Sequence, residues 1–108
     1  MNNNFYDIII IGGGPAGLTA GLYASRARIS TLLLERIALG GQVNNSEKIE
    51  NYPGFEKSIS GFQLVQNLEK QAKGFGLNMT FRSGTIYNPS LFTGRRIFIN
   101  YYYILIDF

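Results

Sequence analysis

Four consecutive isoleucines, Ile8–Ile11, run directly into Gly12-Gly13-Gly14-Pro15-Ala16-Gly17. This junction constrains the fold more than any other part of the chain. The isoleucines end a β-branched run, Phe5–Ile11, which predicts a strand buried on both faces, as in a parallel sheet. Pro15 suits the first turn of a helix, where its missing N–H is not needed. The glycines keep the spacing G-x-G-x-x-G. Gly12 allows a tight turn out of the strand. Gly14 has no side chain to keep a pyrophosphate from the backbone, and Gly17 lets the helix sit close to the strand. The helix start, including Pro15 and Ala16, then offers free N–H groups and partial positive charge to an anion. Ala16, Ala20, Tyr23, Ala24 and Ala27 recur at three- and four-residue spacings. They predict a helix with a face of small residues, ending near Arg28.

A second apolar run, Thr31–Leu34, predicts another buried strand that stops at Glu35. Glu35 follows Gly17 at roughly the spacing of 20 residues at which a carboxylate accepts hydrogen bonds from a ribose hydroxyl. A carboxylate there repels a 2′-phosphate, which argues against NADP even with Arg36 adjacent. Two plainer readings stay open: a glycine turn that only packs a helix on a sheet, and an ordinary acid at a strand end. A phosphate loop of the G-x-x-x-x-G-K-[ST] kind is excluded, because Leu18 stands where the lysine must be.

Beyond Glu35 the pattern is weaker. Ile37–Pro53 has little periodicity and many turn formers, and reads as a long loop with at most a short helix. Loops of this length inside a compact domain are usually functional. Ser60 is placed to cap a second helix running to about Lys73, with Leu64, Val65, Leu68 and Ala72 as its apolar stripe. Met79–Ile86 predicts a strand. Ile97–Phe108 has high β propensity and neither Pro nor Gly, so it is a buried strand if covered and an aggregation hazard if not.

At 108 residues the chain allows one domain at most, and is short for a doubly wound sheet. The net charge is +3, but Arg26 and Arg28, and Arg95 and Arg96, are small separate groups rather than a nucleic-acid-binding stripe. Cysteine and histidine are both absent. Disulfides, thiolate metal sites and thiol catalysis are therefore excluded, as is the commonest general base. Met1–Asp7 lacks the pattern of a signal peptide. The apolar run Ile97–Phe108 falls short of the about 20 residues that span a bilayer. The expectation is a soluble, cytoplasmic protein with no nucleic-acid or membrane partner.

Asp7–Gly54 resembles the N-terminal part of bacterial low-molecular-weight thioredoxin reductases. The resemblance is carried by Ile11–Ala20, Tyr23-Ala24-Ser25-Arg26-Ala27, Leu34-Glu35-Arg36, Gly40-Gly41-Gln42 and Glu50-Asn51-Tyr52-Pro53-Gly54. The first stretch is shared by many flavoproteins, whereas the last two are particular to this family. The resemblance implies FAD as cofactor. It places Gly12, Gly14, Pro15, Ala16 and Gly17 at the pyrophosphate, and Glu35 with Arg36 at the adenosine ribose. It also places Gly40, Gly41 and Gln42 along the cofactor and Asn51 near the flavin ring, with Asn45 a further candidate. Ile86 is implied as a backbone contact near the adenine. The implied fold is α/β: a partial Rossmann-like, doubly wound parallel sheet of the FAD/NAD(P)-binding type, its strand order reversed around the first strand.

The resemblance fades after about Phe75 and is lost by Pro89. A partial FAD-binding domain over residues 1–88 and a divergent apolar segment over 89–108 are the expected organisation. The family passes electrons from NADPH through flavin and a C-x-x-C pair to thioredoxin, as a homodimer. This chain has no cysteine and no second G-x-G-x-x-G. The expected product is a truncated, thioredoxin-reductase-like flavoprotein fragment, inactive as a reductase by itself. A non-catalytic adenine-dinucleotide-binding module is the other reading.

Overall fold

A computed structural model describes residues 6–81, 96–99 and 104–107. Among the described residues five strands form one sheet: β1 (Ile8–Ile11), β2 (Thr31–Glu35), β3 (Asn78–Phe81), β4 (Arg96–Ile99) and β5 (Ile104–Asp107). Helix α1 (Pro15–Arg26) joins β1 to β2, and α2 (Gly61–Gly74) lies between β2 and β3. The spatial order is β3-β2-β1-β4-β5. β1 pairs in parallel with both β2 and β4, β2 with β3, and only β5 runs antiparallel, against β4. This is the Rossmann-like α/β arrangement expected from the glycine turn, with the order reversing around β1.

Strand alternation explains why both apolar runs are continuous. Ile10 and Leu33 are register partners and bury into one cluster with Leu18 and Leu22 of α1, Val65 and Ala72 of α2, and Leu77. Their neighbours Ile9, Leu32 and Leu34 bury on the opposite face with Tyr6 and Ile11 packed against them. A residue every second position serves each face, so a strand buried on both sides has no polar position. Burying one such side chain stabilises the fold by about 1.5–3 kcal/mol.

The buried side of α1 differs from the alanine face expected from spacing. It consists of Gly17, Leu18, Gly21, Leu22 and Ala24, while Ala16 and Ala27 are exposed and Tyr23 is 62% exposed. The leucines carry the apolar area, and the two glycines between them permit a close approach. The helix also stops two residues earlier than expected, at Arg26, and the strand near Met79 runs Asn78–Phe81. Ile97–Phe108 contributes to two short strands rather than one. Ser60 caps α2 as expected, accepting a hydrogen bond from Gln63 N at 3.2 Å. Among the described residues no helix is long and apolar enough to cross a membrane.

Candidate functional site

The strand order locates the site before any side chain does. In open α/β sheets ligands bind beyond the carboxyl ends of the strands, where the order reverses. Here that point is the end of β1, flanked by β2 and β4, and Gly12 follows immediately.

Gly12 has φ +106°, a left-handed value that glycine adopts without strain, and its N–H donates to Leu34 O at 2.8 Å. The chain thus leaves the sheet sharply while still tied to β2. A Cβ on Gly17 would lie 2.0 Å from the Gly12 carbonyl oxygen, so the helix can approach the turn only without that atom. Gly14 is the N-cap of α1 and supplies no side-chain cap, and the first turn holds no acidic residue. The first helical bond runs from Leu18 N to Gly14 O at 2.9 Å. The amides of Ala16 and Gly17 therefore have no carbonyl partner within the helix. Ala16 is exposed, and Gly12, Gly14 and Pro15 are half-buried, so an anion can reach them. The chemistry of this cradle suits a diphosphate, because its helix-start amides are unpaired within the helix and its first turn carries no acidic side chain.

Glu35 closes the next part of the site. Its Oε2 accepts from Gly13 N at 2.6 Å, and its Oε1 accepts from Arg36 N at 2.7 Å and Ile37 N at 3.2 Å. Three amides thus orient a half-buried carboxylate beside the glycine turn. An ionised carboxylate offers about four acceptor positions, leaving one for a sugar hydroxyl. Arg36 is exposed.

The next loop is anchored to the same turn. Gly40 N donates to Gly13 O at 2.7 Å, and Gly40 itself has φ +96°. A short 3-10 turn, Gly41–Asn45, follows and carries Gln42 and Asn45 exposed. Asn44 holds the turn closed by donating from Nδ2 to Leu39 O. The glycine turn, Glu35 and the start of the Gly-Gly-Gln segment therefore form one connected group. Asn51 stands apart, exposed near the base of a loop closed by an antiparallel bridge between Ile49 and Ile59. It helps line an open cleft of about 540 Å³ with Tyr52, Pro53 and Phe55. Ile86 lies outside the described residues.

Gly13 and Asn44 were not among the residues singled out from sequence. Gly13 occupies the free position of the glycine pattern, yet both of its backbone groups are used, one toward Glu35 and one toward Gly40. Three glycines in a row were its only sequence signal.

The sequence profile of the pyridine nucleotide-disulphide oxidoreductase family matches residues 6–106. The chain belongs to that family. The match continues past Pro89, beyond the stretch that carries the resemblance to thioredoxin reductases. Thioredoxin reductase of Bacillus subtilis is 54% identical over 76 residues, which are 70% of this chain and 24% of that protein. Among solved structures, thioredoxin reductase of Lactococcus lactis superposes with a TM-score of 0.66 at 47% identity, covering 70% of this chain and 25% of that one. The Streptococcus pyogenes enzyme gives 0.70 at 44% identity, covering 74% and 26%. This member of the family thus spans about a quarter of the length of the relatives it matches.

Proposed function

We propose that this chain forms the FAD-binding part of a thioredoxin-reductase-like flavoprotein, with its glycine turn at the pyrophosphate and Glu35 at the adenosine ribose. The observation that carries this reading is the connected group itself. One exposed helix start with free amides, one oriented carboxylate and one anchored loop meet at the sheet's switch point. In this reading Gly12, Gly14, Pro15, Ala16 and Gly17 bind the phosphates. Glu35 accepts from the ribose, with Arg36 alongside. Gly40, Gly41 and Gln42 follow the cofactor toward the flavin, with Asn45 and Asn51 as further contacts. When bound, FAD supplies two-electron transfer chemistry, and the protein's part is to bind and orient it.

NADPH, a disulfide and thioredoxin belong to the wider reaction that the relatives' name suggests. These 108 residues contain no cysteine, so any dithiol step needs residues outside them. We expect the chain by itself to bind FAD in a cytoplasmic setting without reducing disulfides.

The test compares FAD and ADP-ribose titrations of the wild type and Gly14→Val. Gly14 has φ −74° and ψ −176°, which valine also adopts, so the fold should survive. The branched side chain should occupy the phosphate position and abolish binding of both ligands, with an unchanged circular dichroism spectrum. Equal affinities in the two proteins would overturn the assignment.

A further inference from the structure

We propose that Gly61 is a positioning residue for the flavin half of the site: its bare Cα lets α2 seat against the Gly41–Asn45 turn and so sets where Gln42 stands. This rests on the FAD reading above.

Gly61 is the buried first residue of α2. A Cβ built on it would lie 1.7 Å from Val43 O, 2.7 Å from Val43 C and 3.1 Å from Ser46 O. All three are backbone atoms of the turn and its exit, which cannot swing aside as a side chain could. Gly61 N also donates to Ser46 O at 2.7 Å. One helical turn later Val65 makes the second contact, its Cγ2 lying 2.6 Å from where a Cβ on Gly40 would stand. Residues 61 and 65 share a helix face, so α2 meets the loop at both ends of the segment that holds Gly41 and Gln42. Asn44 closes that segment on itself through Leu39 O. The phosphate half shares one bond with this loop, from Gly40 N to Gly13 O, and is otherwise held by contacts that join β1, α1 and β2 through Gly12, Gly13, Gly17 and Glu35. Disturbing Gly61 should therefore move the flavin contacts and spare the ADP half.

The experiment measures Kd for FAD and for ADP-ribose separately, by flavin fluorescence and by calorimetry. The set is wild type, Gly61→Ala, Asn44→Ala, Ser60→Ala and Gly74→Ala. Gly61→Ala should weaken FAD about tenfold, the loss of one or two hydrogen bonds. Its ADP-ribose Kd should shift by roughly twofold or less, because the loop reaches the phosphate half only through the single bond from Gly40 N to Gly13 O. Asn44→Ala, which loosens the turn without adding volume, should shift the ratio in the same direction. Ser60→Ala weakens the helix cap only, and Gly74→Ala adds a Cβ where nothing lies within 4 Å. Both should keep the wild-type ratio, which separates positioning from helix stability. Gly61→Ala that leaves the ratio unchanged, or weakens both ligands alike, overturns the proposal. If that variant fails to fold by circular dichroism, an unchanged ratio in Asn44→Ala overturns it instead. A wild type that binds FAD no tighter than ADP-ribose removes this inference alone. A wild type that binds neither removes the dinucleotide reading and this inference with it.

Discussion

Glu35 shows how much one side chain depends on its neighbours' backbone. Its carboxylate is oriented by the amides of Gly13, Arg36 and Ile37, so charge and geometry both matter. Glu35→Gln keeps the size but removes the charge and one acceptor. It should weaken ADP-ribose about tenfold, the scale of a hydrogen bond to a charged group. It should also narrow the preference for ADP-ribose over its 2′-phosphorylated form, because the repulsion between carboxylate and phosphate is gone. Calorimetric titration of both ligands checks this, and an unchanged preference would assign the discrimination elsewhere. Gly17→Ala tests the other contact. Its Cβ would stand 2.0 Å from Gly12 O, a backbone atom, and overpacking of this kind costs about 1–3 kcal/mol. Urea denaturation should show that loss. The Gly12 turn, the close approach at Gly17 and the place of Glu35 at the end of β2 were legible because spacing and residue type alone imply them. Gly13 was not, because its bonds are made by main-chain groups and the Leu39 side chain that leaves no room for a Cβ on it is brought there by the fold.

At the level of elements, both helices end in the same way, although only one announces it. Arg28 has φ +60°, its N–H bonds to Ser25 O at 2.9 Å, and Ile29 N reaches Ala24 O at 3.0 Å. At the end of α2, Gly76 has φ +90° and bonds to Lys73 O at 2.9 Å, and Leu77 N reaches Ala72 O at 3.2 Å. These are paired Schellman bonds, and they turn each chain back toward its strand. Glycine is the usual residue at the left-handed position, whereas arginine carries a Cβ penalty there. Arg28→Gly should therefore raise stability by up to about 1 kcal/mol, offset in part by glycine's freedom in the unfolded chain. Thermal unfolding would register the gain, and a loss would mean that the Arg28 side chain has a role of its own. Ser60→Ala should cost about 1 kcal/mol through the lost N-cap. The capping serine of α2 was readable because a cap is a local hydrogen bond. The buried side of α1 was misread, because alanine spacing ignores what faces the helix. Leu77 lies against Gly21, where an added Cβ would come within 2.5 Å of it, and so that side is the one that docks.

Across the whole molecule, the reversal of strand order at β1 brings the glycine turn, Glu35 and the Gly40 loop to one end of the sheet. A ligand bound there touches several elements at once, so binding should stabilise the fold as a unit. At 100 times its Kd, FAD should add about 2.7 kcal/mol, which for a chain of this size is roughly ten degrees or more in Tm. A melting curve unmoved by saturating FAD would contradict the site. Two things were written in the chain without its fold: the two strands buried on both faces, because such strands need unbroken apolar runs, and the turn between them, because that glycine spacing lets the chain leave the strand sharply and the helix sit close to it. The tertiary structure alone decided that β4 lies beside β1, that Gly13 links Glu35 to Gly40, and that α2 presses on the Gly41–Asn45 turn. Each of these joins residues far apart in the chain and uses a main-chain group on at least one side, and no spacing within a single element reveals such a pairing.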